Sequence, residues 1–119
     1  MILPARYAVA AVFLSASAAS AAAEDRMSAN RVLPGCKTFI SDDGPRDAQE
    51  TVEAGRCVGL MQGLAYGAPP HGACPPGAAT WGQMARVAIA YIEARPERMH
   101  EDFRVLATEA MAKTWPCKK

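Results

Sequence analysis

Residues 80–117 read TWGQMARVAIAYIEARPERMHEDFRVLATEAMAKTWPC, and this stretch decides the fold. Thr80 and Gln83 have the spacing of a capping box, with Thr80 as the N-cap and the Gln83 side chain reaching back to it. Apolar residues then recur at i, i+3, i+4, i+7 and i+8, which predicts an amphipathic helix ending near Ala94. These residues are Met84, Val87, Ala88, Tyr91 and Ile92.

A further helix is predicted to begin at Pro96, because proline suits the first position of a helix. On its polar face, i,i+4 spacing predicts ion pairs of Arg98 with Asp102 and of Glu109 with Lys113. Its apolar face consists of Met99, Phe103, Leu106, Ala107, Ala110 and Met111.

The preceding part of the chain predicts a second helical hairpin. Residues 28–41 form a short helical segment interrupted at Leu33-Pro34-Gly35, and the polar cluster 41–45 is a turn. A longer helix follows over residues 47–66, while residues 66–77 contain too much glycine and proline for regular structure and form a loop. Four helical segments joined by short turns and one longer loop predict an all-α fold, a compact bundle of two helical hairpins. The core face of the longer helix consists of Cys57, Leu60, Met61 and Leu64.

Gly55, Gly59, Gly63 and Gly67 recur every four residues along the longer helix, on roughly the opposite side from its core face. Each interior glycine costs up to about 1 kcal/mol relative to alanine. A repeated row therefore indicates that something packs close to the backbone. We expect another helix of the same domain or a large tryptophan ring there, and the alternative is a dimer or partner surface.

The N-terminus has the order of a secretory signal peptide over residues 1–23. Arg6 provides the charged region, residues 7–14 the apolar region, and Ala21-Ala22-Ala23 the cleavage site. A membrane anchor is disfavoured, because the second half of the uncharged stretch is rich in alanine and serine. We expect cleavage near Ala23 and export to an oxidising compartment, without membrane attachment. Lys plus Arg then equal Asp plus Glu in the mature chain, which argues against a nucleic-acid partner.

The mature chain keeps all four cysteines, Cys36, Cys57, Cys74 and Cys117. An even count in an exported chain predicts two disulfides. No two cysteines have C-x-x-C spacing and only His71 lies near one, so we expect no metal and no other cofactor. Antiparallel hairpins favour the pairs Cys36–Cys57 and Cys74–Cys117. The alternative pairs Cys36 with Cys117 and Cys57 with Cys74, because the loop could fold back onto the longer helix.

No residue pattern predicts catalysis. His71 lies three residues from Cys74, but a disulfide-bonded cysteine cannot act as a nucleophile. His100 lies among charged residues, which is typical of a solvated face. Because the chain also lacks a glycine-rich phosphate loop, an H-x-x-x-H pair and a G-x-S-x-G motif, we expect a binding protein and not an enzyme.

Six short segments are spread along nearly the whole mature chain, and their order and spacing matter together. They are SAN (28–30), LPGC (33–36), GRCVG (55–59) followed by Gly63, CPP (74–76), ARPE (94–97) and WPC (115–117). Together they resemble the Rap/Tai family, the immunity proteins paired with type VI secretion amidase effectors. The resemblance implies a periplasmic, disulfide-bonded, all-helical protein, often dimeric, that binds a peptidoglycan-cleaving amidase and blocks its active-site cleft.

A protein that plugs an enzyme cleft should present a rigid projecting element. The conformational entropy of such an element is lost on folding, so binding does not have to order it. The loop at residues 66–72, hereafter the proline loop, contains two prolines and is held by Cys74. The alternative is that this loop is a plain connection. A second candidate is the charged corner at residues 95–101, which suits electrostatic steering of a partner. The predicted contact residues are Tyr66, Pro69, Pro70 and His71 in the proline loop and Arg95, Glu97, Arg98, His100 and Glu101 in the corner.

A different class of function, a small periplasmic stress or acid chaperone without a dedicated effector, predicts acid-triggered opening and binding of many unfolded proteins. The sequence gives this alternative little support, because the chain contains only two histidines, the residue type suited to a pH switch.

Overall fold

The computed structural model describes residues 26–119, and the predicted signal peptide at residues 1–23 lies outside them. The described part is all-α, as predicted, and contains no β-strand. Within it, no helix is both long enough and apolar enough to cross a membrane. The helices are α1 (Ala29–Ile40), α2 (Ala48–Gly67), α3 (Trp81–Glu93) and α4 (Phe103–Thr114), with short 3-10 helices at Pro69–His71 and Pro96–Arg98.

The helices pack as two hairpins, α1 with α2 and α3 with α4. The Cys36–Cys57 disulfide joins α1 to α2 with a Cα–Cα distance of 5.1 Å. The Cys74–Cys117 disulfide joins the middle of the long loop to the segment after α4, with a Cα–Cα distance of 4.9 Å. The favoured pairing is thus confirmed, and the alternative pairing is wrong.

One core lies between the two hairpins, because the predicted apolar faces of the helices meet there. Burying a large apolar side chain contributes about 1.5–3 kcal/mol, so this cluster supplies most of the favourable free energy of folding. Its largest fully buried side chains are Phe103, Met61, Ile92, Leu106, Met111, Cys36 and Cys57.

Polar side chains cap the starts of α2 and α3, and the N-cap predicted at Thr80 is confirmed. Asp47 accepts a hydrogen bond from the Glu50 backbone N–H at 2.8 Å at the start of α2. Thr80 Oγ1 accepts one from the Gln83 backbone N–H at 3.0 Å at the start of α3. Each bond satisfies a backbone donor that has no partner inside its helix.

Helix α1 runs through Pro34 without interruption, so the predicted break at Leu33-Pro34-Gly35 is wrong. Proline removes one backbone hydrogen bond from a helix and crowds the preceding turn. Here tertiary packing outweighs that cost, because Leu33, Gly35 and Cys36 are buried and Cys36 is bonded to α2.

Helices α1 and α2 approach each other closely at Gly35. A Cβ atom added there would lie 2.5 Å from the backbone oxygen of Glu53, so only glycine fits. An added Cβ at the α2 glycines meets no described atom within 4 Å. The expectation that a helix or a tryptophan ring of the same chain packs on that row is therefore wrong, whereas contact with a second copy or a partner stays a prediction. The glycines of that row are Gly55, Gly59, Gly63 and Gly67.

The last helix begins at Phe103, so the predicted helix starting at Pro96 is wrong. Pro96 instead opens a single 3-10 turn that ends at Arg98. Asp102 has an extended backbone and its side chain accepts a hydrogen bond from the Arg104 backbone N–H at 2.8 Å, which makes it the N-cap of α4. The apolar periodicity across residues 99–103 conceals this boundary.

Candidate partner-binding surface

The proline loop is more ordered than a plain irregular connection. Its three residues Pro69–His71 form a 3-10 helix, and Gly72 then adopts a left-handed backbone with φ 81°, which favours glycine. Ala68 and Ala73 on either side are buried, and the Ala73 N–H donates to the Ala68 carbonyl at 3.2 Å. The prolines and His71 between them remain exposed, so the loop projects from two buried anchor points.

The far end of the proline loop is fixed to the C-terminal segment. The Cys74 N–H donates to the Trp115 carbonyl at 2.8 Å, and the Cys117 N–H donates to the Gly72 carbonyl at 3.2 Å. The Cys74–Cys117 disulfide closes the same junction covalently. The loop therefore has little conformational freedom left to lose when a partner binds.

The corner is fixed to the start of α1 through its backbone. The Ala29 N–H donates to the Glu101 carbonyl and the Asn30 N–H donates to the Met99 carbonyl, both at 2.9 Å. The first N–H groups of a helix have no partner within that helix. The corner supplies those partners for α1, which ties the second hairpin to the first.

A network of polar side chains holds the corner from within. The Arg98 guanidinium donates to Glu101 at 2.8 Å and to Glu109 of α4 at 2.8 Å. The Tyr91 hydroxyl donates to the same Glu109 carboxylate at 2.9 Å. The guanidinium of Arg95 lies 3.7 Å from the centroid of the Tyr91 ring. The corner is therefore joined to both helices of its hairpin.

These contacts shift the pKa values of the carboxyl groups. Hydrogen bonds from Arg98 lower the pKa of Glu101 and the pKa of Glu109, and the Tyr91 hydroxyl adds to the effect at Glu109. The hydrogen bond from the Arg104 side chain lowers the pKa of Asp102 in the same way. All three carboxylates are thus charged and paired at neutral pH.

The predicted ion pairs Arg98–Asp102 and Glu109–Lys113 are replaced by this network, because the 3-10 turn points Arg98 toward Glu101 and Glu109. Three of the five corner residues predicted to contact a partner therefore make contacts within the chain and stabilise the corner. Within the described chain, Glu97 and His100 make no hydrogen bond or ion pair and are exposed. Glu97 and His100 are therefore the predicted contact residues of the corner that remain accessible to a partner. The three residues that hold the corner are Arg95, Arg98 and Glu101.

A groove of about 520 Å³ lies beside the proline loop and next to the side-chain network that holds the corner. His71 of the proline loop forms part of its wall, and Glu109, which Arg98 holds, forms another part. The structure thus brings the proline loop and the corner network to the edge of one groove between α2 and α4. Its lining residues are Gly63, Leu64, Gly67, His71, Arg104, Val105, Thr108, Glu109 and Ala112.

The α4 side of this groove was missed by the sequence reasoning. Val105, Thr108 and Ala112 recur at i, i+3 and i+7, which is the spacing of one helix face. That stripe lies beside the predicted core face, so the sequence alone does not separate the two faces. In the structure, the exposed fraction of 51% at Val105 shows that this stripe is not covered by the core. No group of three or more His, Cys, Asp or Glu side chains in residues 26–119 is placed to hold a metal ion.

Comparison with known proteins identifies the family. A family model described as Rap1a immunity proteins matches residues 28–117 of the 119-residue chain. No curated protein gives a significant match, and neither does any solved structure. The matched segment contains all four helices, both disulfides, the proline loop and the corner. The chain therefore belongs to the Rap1a immunity protein family.

Proposed function

We propose that this chain is a periplasmic immunity protein that binds a peptidoglycan amidase effector of type VI secretion and inhibits it. The family match over residues 28–117 carries the proposal, because an immunity protein acts by binding a toxic effector. The chain itself is not an enzyme under this proposal. It prevents catalysis by covering the cleft of its partner.

Export to the periplasm is supported by two independent features. Residues 1–23 have the pattern of a signal peptide. The disulfides Cys36–Cys57 and Cys74–Cys117 use every cysteine in the chain. Paired cysteines persist in oxidising compartments such as the periplasm, which is also where an amidase reaches peptidoglycan.

The proline loop is the element that suits insertion into a cleft. Its ends are fixed by the buried Ala68 and by the Cys74–Cys117 disulfide, while Pro69, Pro70 and His71 are exposed between them. Binding through a rigid loop avoids the entropy cost of ordering a flexible one. Under this proposal the proline loop forms the inhibitory contact, and the exposed carboxylate of Glu97 contributes long-range steering beside His100.

Growth rescue tests this proposal in cells. A peptidoglycan amidase effector from the same bacterium, directed to the periplasm of a test strain, should lyse the cells. Full-length protein should restore growth, whereas a form lacking residues 2–23 should not, because it stays in the cytoplasm. Lysis despite full-length protein in the periplasm would contradict the amidase target, and protection by the truncated form would contradict the proposed location.

Variants of the two candidate elements then locate the inhibitory contact. Replacing Pro69, Pro70 and His71 together by alanine should abolish rescue. Replacing Glu97 and His100 by alanine should slow association and make the association rate less sensitive to salt. Rescue by the proline loop variant at wild-type level would show that this loop does not carry recognition.

A further inference from the structure

We infer that the groove between α2 and α4 receives an apolar side chain of the effector, next to the proline loop. This inference rests on the proposed function and adds the chemistry of the contact. The groove is the site, and an aliphatic or aromatic anchor residue of the partner is its occupant.

The surface of the groove is mainly apolar and open. Leu64 of α2 and Val105 of α4 both line it, and the exposed fraction of Val105 is 51%. The backbone of α2 lies bare at Gly63 and Gly67, where an added Cβ would meet nothing within 4 Å. A partner side chain can therefore approach the α2 backbone closely and remove this apolar surface from water.

The polar groups that line the groove are already paired. Arg104 is held by Asp102, the Thr108 hydroxyl donates to the Arg104 carbonyl at 2.7 Å, and Glu109 is held by Arg98. Covering them with an apolar side chain leaves no hydrogen bond within the chain broken. An isolated charged side chain would find no free counter-charge among these paired groups.

His71 is the exception, because within residues 26–119 its side chain has no hydrogen bond or ion pair. It lies at the proline loop end of the groove. A hydrogen-bond acceptor of the partner beside the apolar anchor would satisfy the imidazole N–H. The complementary feature of the effector is therefore an apolar side chain next to a carbonyl or carboxylate oxygen.

Position argues that the occupant is the effector and not a second copy of this chain. His71 belongs both to the groove wall and to the proline loop, so a partner that covers the loop reaches the groove in the same contact. Tyr66, with an exposed fraction of 84%, lies one residue before Gly67, which lines the groove. Exposed tyrosines beside an anchor pocket are common among the residues that dominate binding energy.

Two leucine substitutions on α2 form a matched test. Gly63→Leu places a side chain in the groove, whereas Gly59→Leu places the same side chain one turn earlier, outside the groove lining. An added Cβ meets nothing within 4 Å at either position, so both variants should fold. Gly63→Leu should weaken binding of the amidase that wild type inhibits by at least about tenfold, and Gly59→Leu should bind within about twofold of wild type.

A small probe tests the groove without the effector. N-acetyl-phenylalanine amide, titrated into isotope-labelled protein, should shift the backbone amide signals of Val105 and Thr108 in wild type and in Gly59→Leu. Those shifts should be absent in Gly63→Leu. Probe-induced shifts that are the same in Gly63→Leu as in wild type would contradict an apolar site in the groove.

Three outcomes overturn the inference or separate it from the proposed function. Equal effector affinity of the two leucine variants, with wild-type inhibition intact, refutes the groove as a contact while the proposed function stands. Failure of wild type to inhibit any amidase refutes the proposed function, and with it the effector as occupant. If light scattering shows a dimer that Gly63→Leu alone dissociates, a second copy fills the groove and the inference is wrong.

Discussion

Replacing Gly35 by alanine should destabilise the protein, although the same replacement at Gly59 should stabilise it. Both glycines lie inside helices, so local helix propensity favours alanine at each by up to about 1 kcal/mol. Their surroundings differ. Gly59 is exposed with no atom within 4 Å of an added Cβ, whereas Gly35 is buried where α1 meets α2.

The size of the effect at Gly35 follows from its contact distances. An added Cβ would lie 2.5 Å from the backbone oxygen of Glu53 and 2.7 Å from its carbonyl carbon. The helices must separate by about 1 Å to restore ordinary contact, and overpacking of this kind costs about 1–3 kcal/mol. The adjacent Cys36–Cys57 disulfide resists that separation. The clash outweighs the propensity gain, so we expect a net loss of about 1–2 kcal/mol.

Urea unfolding of the oxidised proteins, followed by far-UV circular dichroism, measures both changes. The urea midpoint should fall for Gly35→Ala and rise for Gly59→Ala, with unchanged slopes. In thermal unfolding, Gly35→Ala should lower Tm by roughly 5–15 °C for a domain of this size. A Gly35→Ala protein as stable as Gly59→Ala would refute the close contact between α1 and α2.

Other changes have equally definite outcomes. Replacing Cys74 and Cys117 by alanine opens a loop with a sequence separation of 43. Chain entropy predicts that the free energy of unfolding falls by about 4 kcal/mol, measured as a lower urea midpoint. A fall below about 1 kcal/mol would contradict this prediction. Because Arg98 lowers the pKa of Glu109, the stability from their pairing is present above the ordinary carboxyl pKa of 4.5 and is lost as pH falls through the lowered value. Arg98→Met should therefore lower Tm at pH 7 and flatten the fall of Tm with pH in the acid range, and a wild-type pH profile for that variant would refute the role of the pair. Thr80→Ala removes the N-cap of α3 and should cost about 1 kcal/mol in urea unfolding, whereas Thr80→Ser should cost little.

Local sequence signals predicted the parts of the fold that depend on local physics. Helix α3 was predictable at both ends, since Thr80 marks its start and the apolar period runs out near Ala94. The disulfides followed from topology, because antiparallel hairpins bring Cys36 to Cys57 and Cys74 to Cys117.

Errors arose where tertiary contacts override local preference. Pro34 does not interrupt α1, because the buried face around it and the disulfide hold the helix together. Gly35 is the glycine that the fold requires, but a single glycine beside a proline forms no pattern in the sequence. The row of glycines on α2 does form a pattern, yet it faces solvent. The start of α4 was missed, because Asp102 acts as an N-cap within a run of residues that keeps the helical period.

The candidate surface could be predicted only in pieces. The proline loop was visible as Pro69, Pro70 and the nearby Cys74. The groove could not be predicted from the sequence. Its residues Gly63, His71 and Val105 come from three separate elements that only the fold brings together. The internal pairing of the corner was equally hidden, since it depends on a contact between the corner and α4.

Titration of amidase activity measures the central claim most directly. Purified mature protein, oxidised at both disulfides, is added to a fixed amount of the peptidoglycan amidase effector, and the release of new amines from peptidoglycan is followed. We predict that hydrolysis stops when one equivalent of protein is present per active site, and that the alanine variant of the proline loop leaves hydrolysis unchanged at the same ratio. Full hydrolysis in the presence of excess wild-type protein would contradict the claim that this chain inhibits an amidase.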